Sequence, residues 1–410
     1  MSSWVSLALL LALSLQALLV SIFYLQVKWR RVDRLNWKKS PVGGWPPVEI
    51  ILCLRGADES LREMLESVAG QKYLGKWRFQ IVVDSFNDPS WRIVEEFAES
   101  QSQSDCLKPT WQEIRLQTLL NRPLRGSLKC ASLLQAFNQL NPESEVIAVV
   151  DADAVVSPNW LSDLVLACCQ PGIGAVSGNR WFVPGQFTLM GWTRSVWNAG
   201  ALVLMTLFAI PWGGSLAVRR EVIEAGDWKK LLGCGLCEDT GLLGPLRKLG
   251  LRYVFRPELL VVNRQDDISL FQLVKWIARQ LLTARLHHPA WPLVVMHGLG
   301  TFLLLLAAIV QGAWPAVVTY ELGCLVLLVC IEVIALQRRP MSLWGWILAL
   351  LPGQLIDGLA TVLAVVAREV EWSEVVYKVT SKPRGVTLIG SPKLFDEVGP
   401  SNPSCLPQND

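Results

Sequence analysis

The sequence predicts an α/β domain with a mostly parallel sheet, attached at both ends to apolar helices that cross a membrane. Between residues 47 and 285, short apolar runs alternate with segments of helical periodicity. Such alternation favours a parallel sheet covered by helices on both faces. Long apolar segments lie at residues 4–24 and within 291–367, and about 20 such residues suffice to cross a bilayer. The formal net charge of +3 does not suggest a nucleic-acid partner.

The first apolar segment, residues 4–24, contains no charged side chain and is predicted to be a transmembrane helix. Basic residues follow it at Lys28, Arg30, Arg31, Arg34, Lys38 and Lys39. By the positive-inside rule, this flank and the α/β domain face the cytoplasm, and the N-terminus lies outside. A cleaved signal peptide is the alternative, but the segment lacks a basic start and a small-residue cleavage site. We therefore expect an integral membrane protein.

The C-terminal membrane region, residues 291–367, is expected to contain two spans, near 293–313 and 316–336. A third segment, 343–367, is interrupted by Pro352, Gly353, Gln354 and Asp357. A single crossing would place the basic residues of the tail outside, against the charge rule, so a re-entrant helical hairpin is favoured over a simple crossing. Residues 368–410 form a predicted cytosolic tail with a disordered end, since its composition is rich in Ser, Pro, Asn and Gly.

Charged residues follow three of the predicted strands. The strand 48–54 is followed by Arg55-Gly56-Ala57-Asp58, the strand 79–84 ends in Asp84, and the strand 145–151 ends in Asp151; a fourth strand is predicted at 173–178. Because ligands of open α/β sheets bind at the carboxyl ends of the strands, these side chains are predicted to border one site. The sequence has no glycine-rich dinucleotide fingerprint after the first strand and no phosphate-binding P-loop.

The pair Asp151 and Asp153 directly follows an apolar strand. Hard divalent cations prefer carboxylate oxygens, so this pair predicts a Mg²⁺ or Mn²⁺ site that would bridge to the pyrophosphate of a nucleotide ligand. The alternative is a solvated surface turn, since Asp-x-Asp alone is common. The position at the end of a buried strand favours the metal.

A second acidic pair, Glu238 and Asp239, is predicted at the start of an amphipathic helix. Carboxylates stabilise helix N-termini, and one of them could also act as a general base; the two roles are compatible. The paired glycines Gly213 and Gly214 precede a short strand and would allow the backbone to approach a ligand closely.

Taken together in order, these blocks resemble family-2-type inverting glycosyltransferases with a Rossmann-like GT-A fold. The matching positions are Asp84, Asp151-Ala152-Asp153 and Glu238-Asp239. The ceramide glucosyltransferase branch is the most similar, through the blocks VEIILCLRGADESLREMLESVAGQKY, DSFNDPSW, GSLKCASLLQA, GGSLAVRREVIEAG and CEDTGLLGPLRKLGLRY. The resemblance covers about residues 47–290, and REVEWSEVVYKV (368–379) also resembles the tail of that family.

One block departs from the family pattern. Where the family has (Q/R)xxRW, this chain has ARQLLTARLHHPAW (278–291), with Leu282 and Thr283 at the places of the Arg-Trp pair. Arg279 and Gln280 begin the block and are expected to contact the donor, and Arg285 is expected to supply the missing charge.

The resemblance implies transfer of a hexose, most simply glucose, from a UDP-sugar. In that scheme Asp84 contacts the uridine, and Arg55 and Lys129 belong to the donor site. Asp151 and Asp153 hold the metal, with Asp151 also a donor contact. Asp239, beside Glu238, accepts the proton of the acceptor hydroxyl.

The acceptor side is predicted from residues 185–212, which carry one charge, Arg194, and three tryptophans. An interfacial helix is favoured because tryptophan and apolar side chains lie well at headgroup depth; a buried core helix is the alternative. Trp192, Trp197, Gly213 and Gly214 would then border a membrane lipid that carries the acceptor hydroxyl. Two other functions stay open, namely a processive polysaccharide synthase and a catalytically inactive binding protein of the same fold.

Overall fold

The structure is a computed structural model that describes residues 3–35, 40–41, 43–102, 111–263, 268–338, 341–381 and 384–390. Its centre is a seven-stranded sheet in the order β3-β2-β1-β4-β7-β5-β8. The strands of this sheet are β1 (Val48–Leu54), β2 (Trp77–Val83), β3 (Trp111–Thr118), β4 (Val146–Val150), β5 (Ile173–Ser177), β7 (Ser215–Arg219) and β8 (Arg252–Phe255). A separate parallel pair is formed by β6 (Arg180–Phe182) and β9 (Val261–Asn263).

The sheet is mixed but mostly parallel, as predicted. Only β7 runs antiparallel to its neighbours, β4 and β5. All five residues of β4 are buried, which explains why its sequence is continuously apolar rather than alternating. The chain passes from β1 to β2 on one side and returns to β4 on the other, so β1 and β4 flank the point at which the strand order reverses. The carboxyl ends of these strands therefore border a crevice suited to a ligand.

The described part of the α/β domain and the segment after it contain ten helical segments, several of which pack on this sheet. They are α2 (Leu61–Ala69), α3 (Pro89–Ser102), α4 (Leu128–Asn138), α5 (Trp160–Cys168), α6 (Leu189–Leu207), α7 (Arg220–Glu224), α8 (Asp227–Leu232), α9 (Leu243–Lys248), α10 (Leu270–His287) and a 3₁₀ turn, Pro257–Leu259. Helix α4 is capped by Ser127, whose hydroxyl accepts a hydrogen bond from the Cys130 amide. Helix α10 has a full capping box between Ser269 and Gln272.

Among the described residues, four helices are long and apolar enough to span a membrane: Trp4–Asp33, Trp291–Val310, Trp314–Ala335 and Leu343–Val366. They correspond to α1 (Ser3–Leu35), α11 (Trp291–Val310), α12 (Trp314–Val329), which continues as a π-helical turn (Cys330–Ala335), and α13 (Leu343–Val366). Helix α1 is about half as long again as the predicted segment 4–24, because the helix continues through the basic flank.

The predicted hairpin at 343–367 is wrong. Helix α13 is continuous for 24 residues with Pro352 inside it. Its last carbonyls, of Ala364 and Ala367, accept hydrogen bonds from Arg285 on α10 (2.8 and 2.9 Å). Packing against α10 and α6 along its length supports the helix through the proline, as neighbouring helices can do.

Helix α6 is buried inside the protein, which corrects the prediction of an interfacial helix at 185–212. Eleven of its 19 residues are buried, among them the polar side chains of Thr193, Arg194, Ser195 and Asn198. The helix contacts α13, α1 and α10, which cover its sides. The alternative of a buried core helix is therefore the better description.

The tail begins with a folded sheet. Strands β10 (Glu369–Trp372), β11 (Val375–Ser381) and β12 (Arg384–Gly390) form an antiparallel sheet. This sheet packs back on the α/β domain, where the Val386 carbonyl accepts a hydrogen bond from the Gly126 amide (2.9 Å) and the Val386 amide donates to the Cys234 carbonyl (2.8 Å). The predicted disordered end, residues 391–410, lies outside the described residues.

Candidate active site

A cavity of about 770 Å³ opens at the carboxyl ends of β1, β2 and β4. The predicted acids Asp84, Asp151, Asp153, Glu238 and Asp239 all line it. The same cavity continues between the apolar helices, where side chains of α1, α6, α11, α12 and α13 form its walls. The topology therefore joins the predicted donor acids to a largely apolar compartment.

Asp84 lies at one end of the cavity between two arginines. Its Oδ2 forms ion pairs with Arg55 and with Arg122 (3.3 Å). Burial raises the pKa of this carboxyl, although both guanidinium groups oppose the shift. The other oxygen, Oδ1, is buried and has no hydrogen-bond partner among the described residues, so it can accept a hydrogen bond from a ligand.

Lys129, in the first turn of α4, lies between two carboxylates. Its Nζ is 2.6 Å from Oδ1 of Asp151 and 2.6 Å from Oε1 of Glu238. Despite burial, these two charges hold the pKa of Lys129 well above its usual value. The lysine therefore links the strand end of β4 to the loop that precedes α9.

Glu238 and Asp239 lie in a turn, and α9 begins only at Leu243, so the prediction that they start a helix is wrong. Burial raises the pKa of Glu238 to about 7, in spite of the charge of Lys129. Asp239 is oriented by the amides of Gly213 (2.9 Å) and Thr240 (2.6 Å), which donate to its two oxygens. Both carboxylates face the cavity.

Asp151 and Asp153 form the predicted metal-binding pair. Burial opposes ionisation of Asp151, but the charge of Lys129 outweighs burial, and the pKa of the Asp151 carboxyl is lowered. Burial and the charge of Asp151 raise the pKa of Asp153. Asp153 accepts a hydrogen bond from the Asn263 amide (2.9 Å). The described residues contain no group of three or more His, Cys, Asp or Glu that could hold a metal by itself. Two carboxylates nevertheless fit Mg²⁺ or Mn²⁺ when phosphate oxygens complete the coordination.

The paired glycines bring β7 against these acids. A methyl group at Gly213 would overlap the carboxylate of Glu238, and one at Gly214 would lie 2.5 Å from Oδ2 of Asp151. The backbone thus approaches the candidate catalytic carboxylates. The close approach to a ligand predicted for Gly213 and Gly214 stays a prediction.

Helix α10 contributes Arg279 and Gln280 to the cavity, and their contact with a donor stays a prediction. Burial lowers the pKa of Arg279 to about 10, and a second guanidinium, that of Arg180, acts in the same direction. Arg180 donates to Oε1 of Gln280 (3.1 Å) and lies over the Trp276 ring (5.0 Å). Two cationic side chains therefore face Asp151 and Asp153 across the site.

Two predicted site residues lie elsewhere. Arg285 caps α13 and does not line the cavity, because six residues after Arg279 a helix has turned by about 240° and presents a different face. Trp192 is buried against Phe187 and Gly345 and does not line the cavity either. Trp197 does line it and donates to Oδ1 of Asp357 (2.7 Å). Thr283 lines the cavity, whereas Leu282 is in the core.

The tail sheet borders the end of the cavity that holds the predicted donor residues, which the sequence did not predict. The Ser373 carbonyl accepts a hydrogen bond from Nε of Arg55 (2.8 Å), and the Arg279 guanidinium lies 4.9 Å from the Trp372 ring centre. The Tyr377 hydroxyl accepts a hydrogen bond from the Leu128 amide (3.3 Å) at the start of α4. The block REVEWSEVVYKV, which resembles the tail of the family, was the sequence signal that could have indicated this contact.

Four further cavity or contact residues were missed: Arg122, Arg180, Asn263 and Trp276. Arg180 and Asn263 come from the paired short strands β6 and β9, whose three-residue lengths carry no periodicity. No local pattern marks such residues, since their function depends on pairing between segments about 80 residues apart.

The chain is similar to known proteins in sequence and in fold. A model of glycosyl transferase family 21 matches residues 9–384. A mannosyltransferase from Pyrobaculum calidifontis, PcManGT, solved with GDP-Man and Mn²⁺, is similar in fold, with a TM-score of 0.54 and 18% identity over 88% of this chain and 99% of that one. Glucosyl-3-phosphoglycerate synthase from Mycobacterium tuberculosis aligns with a TM-score of 0.37 and 15% identity, over 58% of this chain and 80% of that one.

A curated relative, the uncharacterized protein y4gI of Sinorhizobium fredii (strain NBRC 101917 / NGR234), is 27% identical over 154 residues. That match covers 37% of this chain and 15% of the relative's length. The family match spans most of the chain, from α1 to the start of β12, and the mixed sheet is that of the GT-A fold. The chain therefore belongs to glycosyl transferase family 21.

Proposed function

We propose that the protein transfers a hexose, most simply glucose, from a UDP-sugar to the hydroxyl of a membrane lipid, with inversion at the anomeric carbon. One observation carries the proposal: a single cavity runs from the strand-end acids to the apolar helices. A soluble acceptor would not require this continuity, whereas a lipid would reach the donor along it.

The donor end is assigned to the charged residues around β1, β2 and β4. The free oxygen of Asp84 suits an N–H donor of a nucleobase such as uracil. Arg180 and Arg279 face Asp151 and Asp153, so their charges can stabilise the pyrophosphate as it leaves. PcManGT was solved with GDP-Man, and a guanine nucleotide is the competing donor to be tested.

Asp151 and Asp153 are the residues that would hold Mg²⁺ or Mn²⁺ against the pyrophosphate. When bound, such a cation supplies charge neutralisation to the leaving group. Lys129 keeps Asp151 ionised before the donor arrives, since its ammonium is already 2.6 Å from that carboxylate. Asn263 orients Asp153 through its amide.

Asp239 is proposed as the general base. The acceptor oxygen attacks the anomeric carbon, the bond from that carbon to the diphosphate oxygen breaks, and Asp239 takes the hydroxyl proton. The amides of Gly213 and Thr240 orient its carboxylate, while the neighbouring Glu238 is paired with Lys129. One displacement inverts the configuration.

The test measures UDP release and lipid glycosylation by the full chain in nanodiscs. Donors are UDP-glucose, UDP-galactose and GDP-mannose, with a membrane lipid extract and Mg²⁺ or Mn²⁺. Turnover with a UDP-hexose and a labelled lipid product is expected. Donor hydrolysis with no lipid product, or a preference for GDP-mannose, contradicts the proposal.

The variant Asp239→Asn tests the base. We expect turnover to fall by roughly 100-fold or more, with donor affinity retained, because general base catalysis contributes about that much. Near-normal turnover in this variant would remove Asp239 from the mechanism.

A further inference from the structure

The loop after β1, residues 55–58, lines the proposed donor end of the cavity. It turns at Gly56, whose φ of +78° lies in the left-handed region that glycine adopts without strain. A methyl group at Gly56 would meet nothing within 4 Å, so side-chain packing does not hold this turn in place. The position of the turn therefore depends on the hydrogen bond that its amide makes.

The partner of that amide is Asp88, a buried carboxylate just before α3. Its Oδ2 accepts a hydrogen bond from the Gly56 amide (2.9 Å), and its Oδ1 lies 3.2 Å from the same nitrogen. Hydrogen bonds to a carboxylate are about twice as strong as those between neutral groups. This contact ties the segment after β2 to the segment after β1.

Asp88 also caps α3, so its two oxygens have different tasks. Oδ1 accepts hydrogen bonds from the amide (2.9 Å) and the hydroxyl (2.6 Å) of Ser90. This is the arrangement in which an N-cap side chain satisfies the first turn of a helix. The cap needs one short polar side chain, whereas the contact with Gly56 needs the second oxygen. A substitution can therefore remove one contact and keep the other.

Gly56 directly follows Arg55, whose guanidinium meets partners from two distant segments. It forms an ion pair with Oδ2 of Asp84, and its Nε donates to the Ser373 carbonyl (2.8 Å). Asp84 is itself fixed to β1, because its amide donates to the Leu54 carbonyl (3.0 Å). A shift of the Gly56 amide would move the backbone that carries Arg55 and would separate the guanidinium from Asp84.

We propose that Asp88 is a positioning residue of the donor site. Through the Gly56 amide, it keeps Arg55 paired with Oδ2 of Asp84. The other oxygen of Asp84, which is buried with no hydrogen-bond partner among the described residues, is thereby presented to the donor. Asp88 does not itself line the cavity and acts through these neighbours. The inference rests on the proposed assignment of a nucleotide-sugar to this end of the cavity.

The charge of Asp88 alone would have the opposite effect on donor binding. Burial is the main cause that raises the pKa of Asp84, and the charge of Asp88 adds to it, against Arg55 and Arg122. Removal of that charge would favour ionised Asp84, the better acceptor, and would reduce the repulsion of a diphosphate. A purely electrostatic role therefore predicts tighter donor binding without Asp88, whereas the positioning role predicts weaker binding.

The main test uses Asp88→Ser in the full chain in nanodiscs, with UDP-glucose and Mg²⁺. Serine caps a helix about as well as aspartate, but its single short oxygen does not also reach the Gly56 amide. We expect a Tm close to that of the parent and a donor Kd and KM raised about tenfold, because a hydrogen bond to a charged group is lost. The kcat at saturating donor should be unchanged, since the contact acts on binding. Calorimetry and UDP release measure these values.

Two further variants separate the cap from the loop contact. Ser90→Ala removes the hydroxyl that donates to Oδ1 of Asp88 and keeps the Gly56 contact, so it should lower Tm and leave the donor Kd unchanged. Asp88→Asn keeps an amide oxygen that can accept from Gly56, so its donor Kd should lie between those of the parent and Asp88→Ser. If the serine variant does not fold, weaker donor binding by Asp88→Asn than by the parent supports the inference, and equal or tighter binding overturns it.

A donor Kd of Asp88→Ser equal to or below that of the parent overturns the positioning role. An equal rise of Kd in Ser90→Ala also overturns it, because the effect would then belong to the α3 cap. If the parent binds GDP-mannose and no UDP-hexose, the proposed function fails, and the same comparison with GDP-mannose decides the role of Asp88. The two failures therefore give different results.

Discussion

The ammonium of Lys129 lies 2.6 Å from the carboxylate of Asp151, so the first turn of α4 and the end of β4 meet in an ion pair at the candidate donor site. The same Nζ reaches Glu238 at 2.6 Å. One lysine thus holds two acids from segments about 90 residues apart, and it compensates charges that burial would otherwise penalise.

Loss of this lysine should destabilise the domain and the donor site together. In Lys129→Met we expect a loss of about 3 kcal/mol of unfolding free energy, since two buried carboxylates lose their partner. Denaturant unfolding in detergent measures it. The double variant Lys129→Met with Glu238→Gln should recover part of the lost unfolding free energy. A Lys129→Met variant as stable as the parent contradicts the role of this ion pair.

The close approach of β7 can be tested with glycine substitutions. Gly213→Ala should reduce turnover by an order of magnitude or more, since its methyl group displaces Glu238. The matched control is Gly244→Ala in α9, where a methyl group meets nothing within 4 Å. Assays at saturating donor and lipid compare the two. Equal activities would show that the site tolerates the displacement.

The two arginines of α10 should separate into different roles. Arg279→Ala should weaken donor binding about tenfold or more with little effect on stability, because Arg279 faces the Asp151–Asp153 pair. Arg285→Ala should instead lower the unfolding free energy by about 1–3 kcal/mol, because it leaves the α13 carbonyls unpaired, with the donor Kd unchanged. Calorimetric donor titration and thermal unfolding of both variants measure this. The reverse pattern would indicate that Arg285, and not Arg279, binds the donor.

The tail sheet should contribute to donor binding through Trp372. A cation–π contact is worth about 0.5–2 kcal/mol, so Trp372→Ala should raise the donor KM between about twofold and thirtyfold, with a smaller change in kcat. Trp344→Ala is the control, since that ring is 73% exposed on α13. A donor KM that stays constant in Trp372→Ala would limit the sheet to a structural role.

The raised pKa of Glu238 predicts how stability depends on pH. Burial lifts this pKa from 4.5 to about 7, so the folded protein holds a proton in that interval that the unfolded chain has released. The contribution of this group to the unfolding free energy therefore falls as the pH rises from 4.5 to about 7, and it is constant at higher pH. In Glu238→Gln this part of the pH dependence should vanish, as Tm measured across about pH 5 to 8 would reveal.

The control for that measurement is Glu95→Gln on the exposed face of α3. Its Tm profile should follow the parent. If the Tm profile of Glu238→Gln also follows the parent, the protonation of Glu238 is not the cause of the pH dependence of stability.

The strand-end residues were predictable because their placement follows from local pattern. A buried strand is continuously apolar, and a parallel sheet aligns the carboxyl ends of its strands; Asp84 and Asp151 therefore had to lie at one edge. Helices α1, α11 and α12 were predictable in the same way, since apolar length is a property of a single segment. Two of the wrong predictions concern α13 and α6, where a polar break and a tryptophan-rich run are compensated by neighbouring helices.

The sequence by itself determined the α/β order, the acids at the strand ends and the apolar helices, because each depends on contacts within one segment. Only the tertiary structure decided that Lys129 joins Asp151 to Glu238, that Trp372 lies over Arg279, and that Arg285 caps α13. Those contacts join residues from 22 to 109 positions apart on different elements, and the packing of these elements sets them. Local periodicity carries no information on such packing. The contacts that complete the candidate site could therefore be identified only in the folded structure.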